Sequence, residues 1–243
     1  MPHQRYFYPG LLDTEQVELA GDEFFHLTKA MRQKSGELLE LVNGQGALAT
    51  GRIAQIEKRN CVILIQNVKK EKPPNNTLIL LQGLARMNRL EIIVEKGCEL
   101  GVDQFWILPC ERSENSKLSD KQLARLAAIA IAAMKQCGRL WLPEIKVVKN
   151  LQEWKEPLSG FFGDLSPDAP WLLDVLKDRK EKQIFAIGPE SGFSEREEKL
   201  LQELGLQGVK LNESVLRTET AALAAAAILG CGRRLLNHDT FID

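Results

Sequence analysis

Three segments carry residue types that could do chemistry, and each follows an apolar run. They are Gly163-Asp164-Leu165-Ser166-Pro167, Gly188-Pro189-Glu190-Ser191-Gly192-Phe193-Ser194 and Asn212-Glu213-Ser214-Val215-Leu216-Arg217-Thr218-Glu219-Thr220. In open α/β sheets ligands bind beyond the carboxyl ends of strands, so a pocket is expected where these loops meet. The second segment packs two glycines and a proline around an acid, just ahead of a helix. Glycine lets a ligand approach the main chain closely, and proline fixes one torsion in advance. A plain turn ending in a helix cap accounts for the same residues. The segment has neither the Gly-Lys-Ser/Thr of a P-loop nor the spacing G-x-G-x-x-G. In the third segment Thr218 or Thr220 can cap a helix, and Glu219 suits the positive helix end. Arg217 does not, because a cation near a helix N-terminus is unfavourable; its placement points to an anion on a ligand or partner. The run Ala221-Ala222-Leu223-Ala224-Ala225-Ala226-Ala227 lets a helix pack closely, within its own core or in a dimer.

Other chemistries find less support. The five cysteines, Cys61, Cys98, Cys110, Cys137 and Cys231, include no C-x-x-C pair, which indicates reduced thiols in a reducing compartment. His3, His26 and His238 are far apart and form no metal-ligand motif, so no metal is expected. No apolar run approaches the roughly 20 residues needed to span a bilayer, and the first residues lack the apolar core of a signal peptide. A soluble cytoplasmic enzyme is expected, with no membrane partner. Net charge is −1, so any contact with nucleic acid must come from a local basic patch. His26 to Lys34 is such a patch: Lys29, Arg32 and Lys34 could meet phosphates, or could line a solvated helix face.

These segments need elements to position them. Residues 1–70 read as short strands with turns, the pattern of a small barrel or sandwich. One helix interrupts it around Asp22 to Met31, with Asp22 as its cap. Asn43-Gly44-Gln45-Gly46 is a turn, and Gly51 marks a bulge or bend. Lys69 to Asn76 carries charge, two prolines and two asparagines, the composition of a linker; the linker is placed at 71–76. From Thr77 onward strands and helices alternate, implying a mostly parallel sheet with helices on both faces. Asn88 to Leu100 has a helical period closed by Gly101. Ser119 with Gln122, and Ser194 with Glu197, read as capping boxes. Gly205 ends a helix begun at Ser194, Val209 to Leu211 is a strand, and Thr220 to Leu229 is a helix.

Taken together in chain order, the motifs resemble a known family. Ile187-Gly188-Pro189-Glu190-Ser191-Gly192-Phe193-Ser194-Glu195, followed by Leu211 to Ala221, is similar to the C-terminal signature of the SPOUT methyltransferases. Within them the closest likeness is to the ribosomal RNA small subunit methyltransferase E family, which reads G-P-E-G-G-F-S and then L-G-x-R-I-L-R-x-E-T-A. Glu95 to Val102 with Pro109 and Glu111-Arg112-Ser113 match a further segment of that family. So do Gln136-Cys137-Gly138-Arg139 with Pro143-Glu144-Ile145, and His26 to Arg32 with Gly36 and Asn43-Gly44. Ser191 and Asn212 stand where the family has glycine, and Ser214 where it has arginine. Ala132-Ala133-Met134-Lys135 stands where it often has two glutamates.

The resemblance implies a PUA-like, RNA-binding β-barrel over 1–70 and a SPOUT methyltransferase domain over 77–243, an α/β domain with a C-terminal trefoil knot. It implies S-adenosylmethionine bound in the knot, a homodimer, and methylation at N3 of a uridine of 16S ribosomal RNA (U1498) in the assembled 30S subunit. Carried onto this chain, the cofactor contacts fall on Leu165, Gly188, Pro189, Glu190, Gly192, Leu211, Asn212 and Leu216. The catalytic candidates are Arg217 and Glu219, and the RNA contacts Lys29, Arg32, Lys34, Arg112 and Arg139. The alternatives are a SPOUT enzyme acting on another RNA and a non-catalytic RNA-binding assembly factor.

Overall fold

A computed structural model describes residues 4–151, 154, 158–176 and 182–238, apart from the side chains of Lys182 and of 232–238. His3 and the His238 side chain lie outside the described residues. The chain forms two compact units, Met1–Pro73 with Met134–Leu142, and Pro74–Ala133 with Pro143–Asp243.

The first unit contains strands β1 (Arg5–Phe7), β2 (Gln16–Ala20), β3 (Leu38–Val42), β4 (Ala47–Ile56) and β5 (Asn60–Lys70). They form one mixed sheet in the order β1-β3-β4-β5-β2, with only β1 and β3 parallel. Among the described residues no ladder joins β1 to β2, so the expected barrel is a half-barrel with two edges. Burial alternates along β2 and through the first half of β4, as a sheet with one covered face requires. That face buries Tyr6, Leu19, Leu39, Leu41, Ala49, Ile53 and Ile63. The turn after β3 is as expected, with Gly44 and Gly46 at φ 69° and 85°. Gly46 is also forced by packing, since a Cβ there would lie 2.5 Å from the Trp141 ring. The register of β4 on β5 slips between Thr50 and Gly51, the expected bulge.

The helix expected around Asp22 to Met31 takes a different form. Helix α1 covers Gly21–Phe25 and passes into a π-helical turn at His26–Ala30. The widened turn is closed by Met31 N–H donating to the His26 carbonyl, at 3.0 Å. Thr28 Oγ1 donates to the Phe24 carbonyl at 2.9 Å, occupying an acceptor of the preceding turn. Asp22 is not the cap: Ala20 holds that position, with no side-chain hydrogen bond.

The second unit alternates strands and helices: β6 (Thr77–Gly83), α2 (Met87–Glu99), β7 (Gln104–Leu108), α3 (Asp120–Cys137), β8 (Glu144–Val147), β9 (Gly160–Gly163), α4 (Leu172–Val175), β10 (Lys182–Ile187), α5 (Glu195–Glu203), β11 (Leu206–Val209) and α6 (Thr218–His238). The last turn of α3, from Met134, groups with the first unit. All six strands are parallel, in the order β11-β9-β10-β6-β7-β8. A parallel sheet covered on both faces needs strands apolar on both sides, and β6 is buried at every position after Thr77. Gly101 and Gly205 follow α2 and α5 in the left-handed region, at φ 92° and 96°, and both capping boxes form.

After edge strand β11 the chain returns to the middle of the sheet, where α6 packs on α2, β6 and β10. Ala222, Ala225, Ala226 and Leu229 are its buried apolar positions among the described residues. Four small or slender side chains allow that close approach. A return from an edge strand to the middle of the sheet is compatible with the C-terminal knot that the resemblance implies. The sequence places a strand at Val209 to Leu211, but β11 ends at Val209, and Lys210 instead bridges to Trp171.

Candidate cofactor cleft

Strands β10, β9 and β11 lie side by side, and the loops leaving their carboxyl ends line one cleft of about 480 Å³. It brings together every cofactor contact expected from the sequence: Leu165; Gly188, Pro189, Glu190 and Gly192; and Leu211, Asn212 and Leu216. Arg217, Glu219 and Arg112 line it too. Lys29, Arg32, Lys34 and Arg139 belong to the first unit.

The cleft is held open by a clasp absent from the sequence reading. Gln82, fully buried at the end of β6, donates through Nε2 to the carbonyls of Gly83 (2.9 Å) and Gly188 (3.3 Å) and to Thr218 Oγ1 (3.0 Å). Thr218 Oγ1 in turn donates to the Gly188 carbonyl at 2.7 Å. Nε2 carries two protons, so the longer contact to Gly188 is a shared, three-centre one, while the hydroxyl accepts once and donates once. The Gly188 carbonyl is thereby held chiefly by the Thr218 hydroxyl. Thr218 consequently does not cap α6. The Arg217 carbonyl accepts the first helical bond, from Ala221 N–H at 2.8 Å, which puts Arg217 itself at the cap position. Gly188 is glycine because its own loop folds back: a Cβ there would lie 2.8 Å from Gly192 and Phe193 backbone atoms. Gly192 differs, with φ 72° and nothing within 4 Å of its would-be Cβ, so it faces free space.

The charged groups form pairs. Glu190 Oε1 accepts from Arg86 N–H at 3.0 Å, tying the β10 loop to the start of α2. Arg89 Nη1 binds Glu219 Oε1 at 2.6 Å, with the two side chains 29% and 11% exposed. Glu219 Oε2 is buried and has no partner. Arg112 Nη1 donates to the Phe193 carbonyl at 2.9 Å, so it braces the cleft as well as lining it. The Arg217 side chain is exposed and has no hydrogen-bond or ion-pair partner among the described residues. Burial first, then the negative charge of Asp164, pushes the Glu198 carboxyl above the usual carboxylate range. Asp164 is held by the N–H and hydroxyl of Ser166 at 2.8 and 2.6 Å. Leu165 and Val215 stand 73% and 76% exposed at the rim, apolar surface ready to cover a ligand.

Arg89 was missed by sequence reasoning although a signal existed. It lies in the first turn of α2, the same unfavourable place for a cation that singled out Arg217. Thiolate chemistry finds no support at Cys61 or Cys110. Burial raises the thiols of Cys61, to about 11, and of Cys110, higher still, so neither ionises near neutral pH. Among the described residues no group of three His, Cys, Asp or Glu could hold a metal ion, and no helix is long and apolar enough to cross a membrane.

Residues 71–230 match the family model of an RNA methyltransferase domain. The chain belongs to the RNA methyltransferase family. Residues 19–66 match an RNA methyltransferase PUA domain. Curated relatives of this methyltransferase are named ribosomal RNA small subunit methyltransferase E. The protein of Buchnera aphidicola is 28% identical, covering 90% of this chain and 89% of its own. That of Helicobacter pylori is 28% identical over 92% and 98%, and that of Bacillus subtilis 26% over 97% and 99%. Among solved structures, the ribosomal RNA small subunit methyltransferase E of Neisseria gonorrhoeae bound to S-adenosyl methionine superposes with TM-score 0.85 at 28% identity, covering 94% of this chain and 97% of that one. A Legionella pneumophila methyltransferase in complex with the same cofactor gives 0.85 at 28%, covering 96% and 98%. The fold is therefore the SPOUT α/β fold preceded by a PUA-like domain, as the resemblance implied.

Proposed function

We propose that this protein uses S-adenosylmethionine to methylate N3 of a uridine in 16S ribosomal RNA, acting as a cytoplasmic homodimer on the assembled 30S subunit without a metal or membrane. The observation that carries the reading is the convergence of the three loops on one cleft, in a chain whose solved relatives are bound to that cofactor.

The residues present fit the cofactor. A volume of about 480 Å³ lies in the range of small-molecule sites. Leu165, Leu211, Val215 and Leu216 offer apolar contact to a nucleoside, and Asp164 and Glu198 offer negative charge to a sulfonium or ammonium group. Pro189, Glu190, Gly192 and Asn212 line the cleft between them. When bound, the cofactor supplies a methyl group on a positively charged sulfur. The clasp of Gln82, Thr218 and Gly188 fixes the loops so that reactants meet in line. Uracil N3 must lose its proton to become a nucleophile. Arg217, exposed and unpaired, stabilises the resulting anion. Glu219, held through Oε1 by Arg89, is the candidate acceptor of the N3 proton. Lys29, Arg32, Lys34, Arg112 and Arg139 meet RNA phosphates.

Two assays on one preparation test this. Calorimetry with S-adenosylmethionine should show binding, and none at millimolar ligand overturns the cofactor assignment. Small subunits from a strain lacking the gene should gain one 3-methyluridine on incubation with protein and cofactor. Binding without transfer would instead make the chain a non-catalytic assembly factor, and methylation elsewhere a SPOUT enzyme of another RNA.

A further inference from the structure

The π-helical turn of the first unit carries features that phosphate contact does not use. Phe24 and Leu27 are buried and anchor the turn. Phe25 and Met31, on either side, are 55% and 42% exposed. Exposed apolar side chains on a surface turn offer a ligand somewhere to rest, which matters here because cations stand in the same segment. Lys29, Arg32 and Lys34 are exposed, and their side chains have no ion-pair partner among the described residues. Arg32 is the one non-glycine residue with positive φ, 52°, among those described. An arginine in the left-handed region is strained, and such strain and π-turns gather at functional positions. The Phe25 ring is steadied by Phe24, with centroids 5.8 Å apart.

We infer that this turn is a stacking platform for unpaired RNA, with a base on Phe25 and the neighbouring phosphates on Lys29, Arg32 and Lys34. The inference rests on the RNA-methyltransferase reading and narrows it: the first unit takes a single-stranded segment. A duplex keeps its bases stacked on each other and offers only phosphates. An unpaired strand offers both a π-face and charge, and this turn presents a partner for each. Cations interleaved with apolar residues also suit an anionic membrane surface. The match of residues 19–66 to an RNA methyltransferase PUA domain favours RNA.

The test is fluorescence anisotropy of the full chain with a labelled twelve-nucleotide uridine-rich strand and with a twelve-base-pair RNA duplex. The single strand should bind more tightly. Phe25→Ala should weaken single-strand binding about tenfold, as loss of one stacked base does, and leave duplex binding and the salt slope unchanged. Phe25→Trp should restore it. The double variant K29A/K34A should weaken both probes and flatten the dependence on salt. Equal single-strand affinity of the parent and a folded Phe25→Ala overturns the platform, as does a preference for duplex. Phe25-dependent binding to phosphatidylglycerol vesicles with no RNA binding assigns the turn to membranes instead. Calorimetry with S-adenosylmethionine on the same samples separates the two proposals, because the cleft can fail while the platform stands, and the reverse.

Discussion

At the residue scale the cleft separates holding from reacting. Arg217 makes no side-chain hydrogen bond or ion pair among the described residues, so no such pairing in the fold depends on its charge. Arg217→Ala should keep its melting temperature and its affinity for S-adenosylmethionine while losing methyl transfer by about a hundredfold or more, the usual size of one lost electrostatic donor. A full-rate variant removes Arg217 from catalysis. Arg89 is different, because Arg89→Ala leaves Glu219 a buried carboxylate with neither oxygen paired. That should cost about 3 kcal/mol or more of stability, read by urea unfolding, and an unchanged midpoint would refute the pairing. Glu198 gives a pH-dependent outcome. Its carboxyl is held above the ordinary value in the folded state, so the favourable state is the protonated one, and that stability is lost as pH rises through the raised value. Glu198→Gln should therefore melt higher than the parent near neutral pH and match it in acid, below the ordinary glutamate range. It should also bind the cationic cofactor more weakly near neutrality. A cofactor site that keeps an unfavourable charge gives up stability for function.

At the element scale the cleft depends on where β6 ends. Gly83 meets the β10 loop so closely that a Cβ would lie 2.5 Å from Pro189 ring atoms. Gln82 joins β6 to the start of α6 by a side-chain hydrogen bond. Thr218→Val should leave the Gln82 amide with one partner fewer and the Gly188 carbonyl with one donor fewer. The expected cost is about 1–3 kcal/mol, with a weaker affinity for S-adenosylmethionine, and Thr218→Ser should restore both. Calorimetry well below the melting temperature distinguishes a loosened cleft from a merely less stable fold. The clasp also marks the limit of sequence reading. Ser194 with Glu197 and Ser119 with Gln122 were legible because each cap is satisfied within four residues. Gln82 was not, since its partners lie 106 and 136 residues away and its neighbours read as a plain apolar strand. Asp22 misled for the opposite reason. It had the right type and place for a cap, but the packing of Phe24 and Leu27 set the turn. The loops at 163–166, 188–193 and 211–219 were legible as a site because strand ends in a parallel sheet must converge. That the chain returns from β11 to the sheet's middle has no local signal at all, and came through the resemblance alone.

At the scale of the molecule, a net charge of −1 leaves no general attraction for RNA, so recognition has to be local. Two sets of its exposed cations have different tasks. Lys29, Arg32 and Lys34 belong to the unit without the cleft, whereas Arg217 lines the cleft in the other. Phosphate contacts made equally to bound substrate and to the transition state lower KM and leave kcat alone, whereas a group that meets only developing charge acts on kcat. The triple substitution of Lys29, Arg32 and Lys34 by alanine should therefore raise KM for small subunits about tenfold or more, with kcat and cofactor affinity unchanged. Its remaining activity should depend less steeply on salt. Arg217→Ala should show the converse, a fall in kcat at nearly constant KM and constant salt dependence. Steady-state transfer of radiolabelled methyl groups to small subunits at several ionic strengths reads both. If the triple variant loses kcat, the first unit helps to place the base for reaction, and a division of labour between the two units is wrong.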